Sequence, residues 1–221
     1  MEKLLSYLHS HYKEGEPIFI KDIKIDGLSK STIRVYFKRL VDSGKIRKKM
    51  NGVYYFPLFF KEFDNSELSV DEDLIIVQKY ICKDNEVFGY YNGSTFANMC
   101  HVSVQFPFVK SIRTNNTTSI KRTIKIGNFT YIIRKSYVKI TNENFRVLQL
   151  LDLLKDLDIY IEDGEEKTRN TLASFVNTYN ITLEDVKKYI GYFPKRVYKT
   201  IFEGGYYNVF IQQPRSFSKV H

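Results

Sequence analysis

Between Lys30 and Lys49 the chain carries eight cationic side chains, Lys30, Arg34, Lys38, Arg39, Lys45, Arg47, Lys48 and Lys49, against the single acid Asp42. Cations at that density attract polyanions, and their spacing narrows the choice. Lys30, Arg34 and Lys38 recur every four residues, so on a helix they stack along one face with Ser31 and Val35 alongside. Ile33, Phe37, Leu40 and Val41 recur on another face and suit burial. A helix that enters a DNA groove needs both faces, one to pack on its own domain and one to meet phosphates and base edges. The N-terminal turn of such a helix meets the bases, which assigns base or near-base contact to Lys30, Ser31, Thr32 and Arg34. Lys38, Arg39, Lys45, Arg47, Lys48 and Lys49 are assigned to phosphates. The plainer alternative is a solvated lysine-rich face.

A second group, Lys121, Arg122, Lys125, Arg134, Lys135 and Lys139, places six cations in residues 121–139 without an acid. Two readings compete there: a surface for RNA or another acidic partner, or the solvent side of a hairpin packed inward through Ile120, Ile124 and Ile126. Catalytic patterns are sparse. Asp158, Glu165 and Lys167 fit an acid, Glu-x-Lys arrangement in which carboxylates hold magnesium and a lysine assists water, so a DNA-associated metal-dependent nuclease is the alternative function. Clustered acids in Glu162-Asp163-Gly164-Glu165-Glu166 equally suit a solvated loop. Cys100 and His101 are adjacent, so on a helix or strand they point apart, and no third ligand is near in sequence. His9 and His11, two apart on a helix, diverge as well. Neither a His-Glu-x-x-His site, a phosphate-binding GxxxxGKS loop nor a Rossmann fingerprint is present. No catalytic residue, metal or cofactor is therefore expected.

The elements that would position the first cluster follow from local signals. Leu4, Leu5, Leu8 and His11-Tyr12 give an amphipathic helix over residues 2–13, stopped near Gly15 and Pro17. Pro17-Ile18-Phe19-Ile20 suits a short strand or the entry to a second helix, and Asp22 to Ile25 is too short to assign. Ser29 is the N-cap of a helix running from Lys30 to Ser43 and ended by Gly44. Two β-compatible runs, Lys45–Lys49 and Val53–Phe56, flank Asn51-Gly52, the dipeptide most favoured in tight hairpins. Helix plus basic hairpin is the pattern of a winged helix-turn-helix.

Further on, a helix is expected from Leu74 to Cys82 and a helical stretch over Thr95–Met99, with Phe106-Pro107-Phe108 extended. A second hairpin joins residues 120–126 and 129–135 around Gly127-Asn128. Thr141-Asn142-Glu143-Asn144 caps a core helix carrying Phe145, Leu148, Leu151 and Leu154. Thr168–Tyr179, Thr182–Tyr189 and Pro194–Ile201 read as three more helices. The fold class is α+β: a winged helix-turn-helix DNA-binding domain at 1–60, an acidic linker at 61–73, and a larger mixed domain at 74–221.

With 221 residues, two domains are the natural expectation. A hydrophobic fraction of 43% and an aromatic fraction of 15% exclude global disorder. Thirty-four Lys and Arg against 25 Asp and Glu give a net charge of +9, again favouring polyanions. Two cysteines without a CxxC pair rule out a disulfide scaffold or cysteine zinc site and suit a reducing compartment. Without a signal-like start or an apolar run of membrane-spanning length, a cytoplasmic protein is expected.

Several stretches resemble the abortive-infection AbiEi-like antitoxins, the regulators of type IV toxin–antitoxin systems. In the first half these are Leu40-Val41-Asp42-Ser43-Gly44-Lys45-Ile46-Arg47-Lys48 and Asn51-Gly52-Val53-Tyr54-Tyr55, a pattern many winged helices share. In the second half they are Gly89-Tyr90-Tyr91-Asn92-Gly93-Ser94-Thr95-Phe96-Ala97-Asn98, Val102-Ser103-Val104-Gln105-Phe106-Pro107, Ile140-Thr141-Asn142-Glu143-Asn144 with Leu148–Asp152, and Tyr189–Lys199 around Phe193-Pro194-Lys195. Cys100-His101 departs from the Leu-Gly usual at that point. The resemblance implies a phage-defence antitoxin that represses its own operon by binding operator DNA. It also implies a C-terminal domain that counteracts a nucleotidyltransferase-like toxin without a stable complex, which would make the 121–139 cations a candidate antitoxin surface.

Overall fold

The computed structural model describes residues 1–60 and 66–210. It divides into two compact units, Met1–Ile76 and Val77–His221, both of mixed α+β composition.

In the first unit, helix α1 (Glu2–His11) is followed by the two-residue strand β1 (Ile18–Phe19), a 3-10 turn (Ile20–Asp22) and helix α2 (Lys30–Asp42). Strands β2 (Arg47–Met50) and β3 (Val53–Tyr55) then form a hairpin. Ser29 caps α2 as its sequence position suggests, its side-chain oxygen accepting from the Thr32 amide at 3.1 Å. Gly44, at φ +71°, adopts the left-handed conformation that ends the helix. Gly52 (φ +78°) makes the hairpin turn, with Met50 opposite Val53 and a register irregularity between Lys48 and Met50. The three strands align in the order β1-β3-β2, with Ile18 opposite Tyr54 and Phe19 opposite Val53. Leu4 and Leu8 of α1, Ile33, Phe37 and Leu40 of α2, and Ile18, Ile23, Ile46 and Phe56 form one core.

Residues 61–65 of the expected linker lie outside the described residues. The remainder of that stretch is ordered into strand β5 (Ser66–Leu68), which pairs antiparallel with β4 (Leu58–Phe60), and into the start of helix α3 (Glu72–Tyr80).

The second unit contains a small hairpin, β6 (Cys82–Lys83) with β7 (Glu86–Val87), and a four-stranded sheet. The sheet joins β8 (Gly89–Asn92), β9 (Val109–Thr114), β10 (Lys121–Ile126) and β11 (Phe129–Lys135) in the order β10-β11-β9-β8. The pair β9–β11 is parallel and the others antiparallel. Helix α4 (Gly93–Met99) follows β8; α5 (Phe145–Leu154), α6 (Leu157–Tyr160), α7 (Glu165–Thr178), α8 (Leu183–Ile190) and α9 (Lys195–Tyr198) follow the sheet. Every residue from Val147 to Leu154 is buried, so α5 is enclosed on all sides rather than along one stripe. A capping box between Thr182 and Asp185 starts α8. Among the described residues no helix is long and apolar enough to cross a membrane.

One local expectation is corrected. Ile120 precedes β10 and is 86% exposed, so β10 packs inward through Ile126 and the half-buried Ile124, beside the buried Tyr131 and Ile133 of β11. Strand β9, over residues that carry no assignment from sequence, inserts between β8 and β11 and makes the sheet mixed.

Candidate nucleic-acid interface

Helix α2 sorts its side chains as the spacing requires. Ile33, Phe37 and Leu40 are buried in the core, whereas Lys30, Ser31, Arg34, Val35, Lys38 and Arg39 are exposed. Thr32 is half-buried, and its hydroxyl lies 2.8 Å from that of Ser29; the Ser31 hydroxyl lies 2.7 Å from the same oxygen. A small hydroxyl cluster therefore sits at the first turn, with Lys30 and Arg34 beside it.

None of Lys30, Arg34, Lys38, Arg39, Lys45 and Lys48 makes an ion pair with a described residue. Leaving six like charges without acidic partners costs some self-repulsion and gains no packing. No carboxylate among the described residues competes with an external polyanion for them.

The remaining two cations of the group behave differently. Arg47 forms a two-pronged pair with Glu67, Nε at 2.9 and 3.1 Å from the two carboxylate oxygens and Nη2 at 2.9 Å, and also donates to the Gly44 carbonyl at 2.8 Å. Lys49 reaches Glu72 at 2.9 Å and the Ser69 hydroxyl at 3.0 Å. Both acids belong to the stretch read as a linker. The antiparallel pairing of β5 with β4, Phe59 opposite Glu67, returns it to the hairpin.

One cation escaped the sequence reading. Lys21, exposed on the 3-10 turn, lines a small hollow together with Lys30, Arg34, Ile20, Ile23 and Ile33. Its signal was only a single lysine between the Pro17–Ile20 run and the unassigned Asp22–Ile25.

The second cationic group is split by strand alternation. Lys121, Thr123 and Lys125 face one side of β10, with Arg134 opposite Lys121 and Thr130 opposite Lys125. Arg122 lies on the other side and donates to the Tyr80 hydroxyl at 2.7 Å. Lys135 ends β11 on that other side as well, and Lys139 lies in the loop beyond it. Three of the six, Lys121, Lys125 and Arg134, thus share a surface.

The nuclease pattern is not assembled. Asp158 pairs with Arg196 at 2.6 Å, Glu165 with Arg169 at 2.6 Å, and Lys167 with Asp163, each group being occupied by a different partner. Among the described residues no group of three His, Cys, Asp or Glu side chains is placed to hold a metal ion. Cys100 and His101 diverge: the thiol points to the Ala97 carbonyl at 3.6 Å, and burial pushes its pKa up to about 11, while His101 is exposed at φ +61°. His9 stacks on Phe56 and His11 on Tyr7, so the two histidines of α1 also part.

The buried charge of the second unit is a structural one. Asp152 on α5 is fully buried, contacts the Arg113 guanidinium of β9, accepts from Asn92 Nδ2 at 2.9 Å and lies 3.3 Å from Lys155 Nζ. Tyr137 stacks over Arg113 at 3.8 Å. Burial opposes the Arg113 charge, but the Asp152 carboxylate outweighs it and the pKa of Arg113 rises. Burial, followed by the charge of Asp152, also holds the Tyr90 hydroxyl well above the usual tyrosine range.

No protein-family model and no curated protein matches the chain.

Proposed function

We propose that the first unit binds double-stranded operator DNA, with α2 in the major groove and the β2–β3 hairpin beside it, as a winged helix-turn-helix would. The observation that carries this reading is the outward face of α2, whose cations have no acidic partner among the described residues while its opposite face closes the core. The order helix, strand, turn, helix, hairpin, with strand order β1-β3-β2, resembles a winged helix in which the 3-10 turn stands where the first helix of the helix-turn-helix would be, and supports the same reading. Lys30, Ser31, Thr32 and Arg34 address base edges; Lys38, Arg39, Lys45 and Lys48 address phosphates, joined by Lys21.

The residues resembling AbiEi-like antitoxins extend the proposal. The protein is an autorepressor acting in the cytoplasm, and its second unit counteracts a nucleotidyltransferase-like toxin, the side bearing Lys121, Lys125 and Arg134 being its candidate contact surface. That part rests on the resemblance alone.

The DNA-binding half is tested by a gel shift with the promoter fragment of the protein's own gene. Replacing Arg34 and Lys38 together by alanine removes two of the six unpaired cations and one whole side of the reading face, and should weaken binding by about 10²-fold. Unchanged affinity in a folded double variant refutes it. Co-expression with the product of a neighbouring nucleotidyltransferase-like reading frame tests the other half: restored growth supports it, and continued arrest refutes it.

A further inference from the structure

The exposed face of α2 is not uniformly cationic. At about 100° per residue, the direction opposite Ile33, Phe37 and Leu40 falls between Val35 and Asp42, with Ser31 beside them, Lys38 and Arg39 about 50° to either side and Arg34 beyond Lys38. Val35 is 48% exposed, the only large apolar side chain of α2 so exposed, and it belongs to neither the core nor its margin. Helix formation does not explain it, because a β-branched side chain is a poorer helix former than the alanine, lysine or glutamate that would serve at an exposed position. Core packing does not explain it either.

The surroundings define what it suits. A protein partner is held by a contiguous apolar patch, whereas Val35 is an isolated apolar group among the Ser31 hydroxyl, the cations Arg34, Lys38 and Arg39 and, two turns on, the carboxylate of Asp42. The 5-methyl group of thymine is the complementary object: an isolated apolar projection in a polar, anionic groove. We propose that Val35 is a specificity-determining residue of the DNA-reading face, its methyl groups resting on a thymine methyl in the major groove. Lys30, Arg34, Lys38 and Arg39 hold the flanking phosphates and base edges around it. This inference rests on the DNA-binding reading above and adds to it a base identity and the residue that reads it.

The experiment begins with the full chain and a pool of random-sequence duplexes, from which bound sites are selected. Each thymine of a selected site is then replaced in turn by deoxyuridine, which removes only the 5-methyl group. For the wild type, one position should lose about fourfold in affinity, the worth of one buried methyl contact. In Val35→Ala the thymine and deoxyuridine duplexes should bind equally. In Lys38→Ala both should weaken together with their ratio preserved. Equal binding of thymine and deoxyuridine sites by the wild type at every position overturns the inference, and so does a ratio that survives in Val35→Ala; both leave DNA binding itself standing. Failure to enrich any duplex overturns the DNA-binding reading and the inference with it.

Discussion

The pairing of Arg47 with Glu67 and of Lys49 with Glu72 makes a quantitative prediction about salt. Each cation that neutralises a DNA phosphate releases a counterion, and log K falls against log[salt] with a slope of about −0.9 per contact. The six cations of the helix and hairpin that have no acidic partner among the described residues, together with Lys21, set a ceiling of about −6.3, equivalent to a loss of roughly 10³–10⁴ in affinity between 50 and 200 mM salt. Arg47 and Lys49 add nothing to that count while they are held by carboxylates, since exchanging a carboxylate for a phosphate leaves an uncompensated acid beside the DNA. The double substitution Glu67→Gln, Glu72→Gln keeps the shape of both side chains and removes their charges. It should steepen the slope by about 1.8 and raise affinity at low salt. The pairs remain partly solvated and the glutamines keep hydrogen-bond acceptors for both cations, so the fold should lose about 1 kcal/mol for each, the two-pronged Arg47 pair the more.

The assay is fluorescence anisotropy with a random-sequence 30-base-pair duplex at salt concentrations between 50 and 200 mM, alongside thermal unfolding of both proteins. A random duplex suffices because the counterion term is independent of sequence. A slope identical to that of the wild type, in a variant that unfolds at the same temperature, would show that the hairpin cations do not reach DNA phosphates. The assignment of Lys45 and Lys48 to the backbone would then fall as well.

Two further predictions concern the second unit. Asp152→Ala leaves the buried Arg113 guanidinium without its counter-charge and should destabilise the unit by about 3–5 kcal/mol in urea unfolding, whereas Arg34→Ala should stay within about 0.5 kcal/mol of wild type; equal effects would refute the structural role of the Arg113–Asp152 pair. With its thiol pKa raised to about 11 by burial, Cys100 is almost entirely protonated at neutral pH. In a Cys82→Ser background its alkylation by iodoacetamide should therefore accelerate about tenfold per pH unit from pH 7 to 10, and a plateau below pH 9 would contradict the buried environment.

What the chain discloses before folding is what is decided within a few residues. The Ser29 cap, the alternation of Ile33, Phe37 and Leu40 with Arg34 and Lys38, and the Gly44 stop are all local, and each appears in α2. The Gly127-Asn128 turn is equally local, and it sets the register from Ile126 opposite Phe129 through Lys121 opposite Arg134. Contacts that depend on where distant segments arrive were not legible. Glu67 meets Arg47 across 20 residues because β5 reverses on β4, yet in sequence the acids of that stretch read only as a polar connection. Asp152 reads as one polar position in a leucine run, and its partner Arg113 lies 39 residues earlier on a strand whose parallel neighbour, β11, follows it in the chain.

These long-range placements sharpen the local pattern. Eight cations in twenty residues attract any polyanion and define no direction. Direction comes from the acids: Glu67 and Glu72 return to the hairpin and neutralise two of its cations, whereas no described carboxylate pairs with Lys30, Arg34 or Lys38. Among the described residues the cations without an acidic partner are therefore concentrated along α2, and the hairpin keeps Lys48, with Lys45 just ahead of it. A solvated lysine-rich face would place acids indifferently, because exposed ion pairs are worth little wherever they form. Among the described residues no ion pair forms on α2, although Asp42 lies exposed at its last turn, and the first turn of the same helix gathers the Ser29, Ser31 and Thr32 hydroxyls, groups suited to phosphate oxygens and base edges. The disposition of the carboxylates, more than the number of lysines, is what favours a groove-reading helix over a merely basic one.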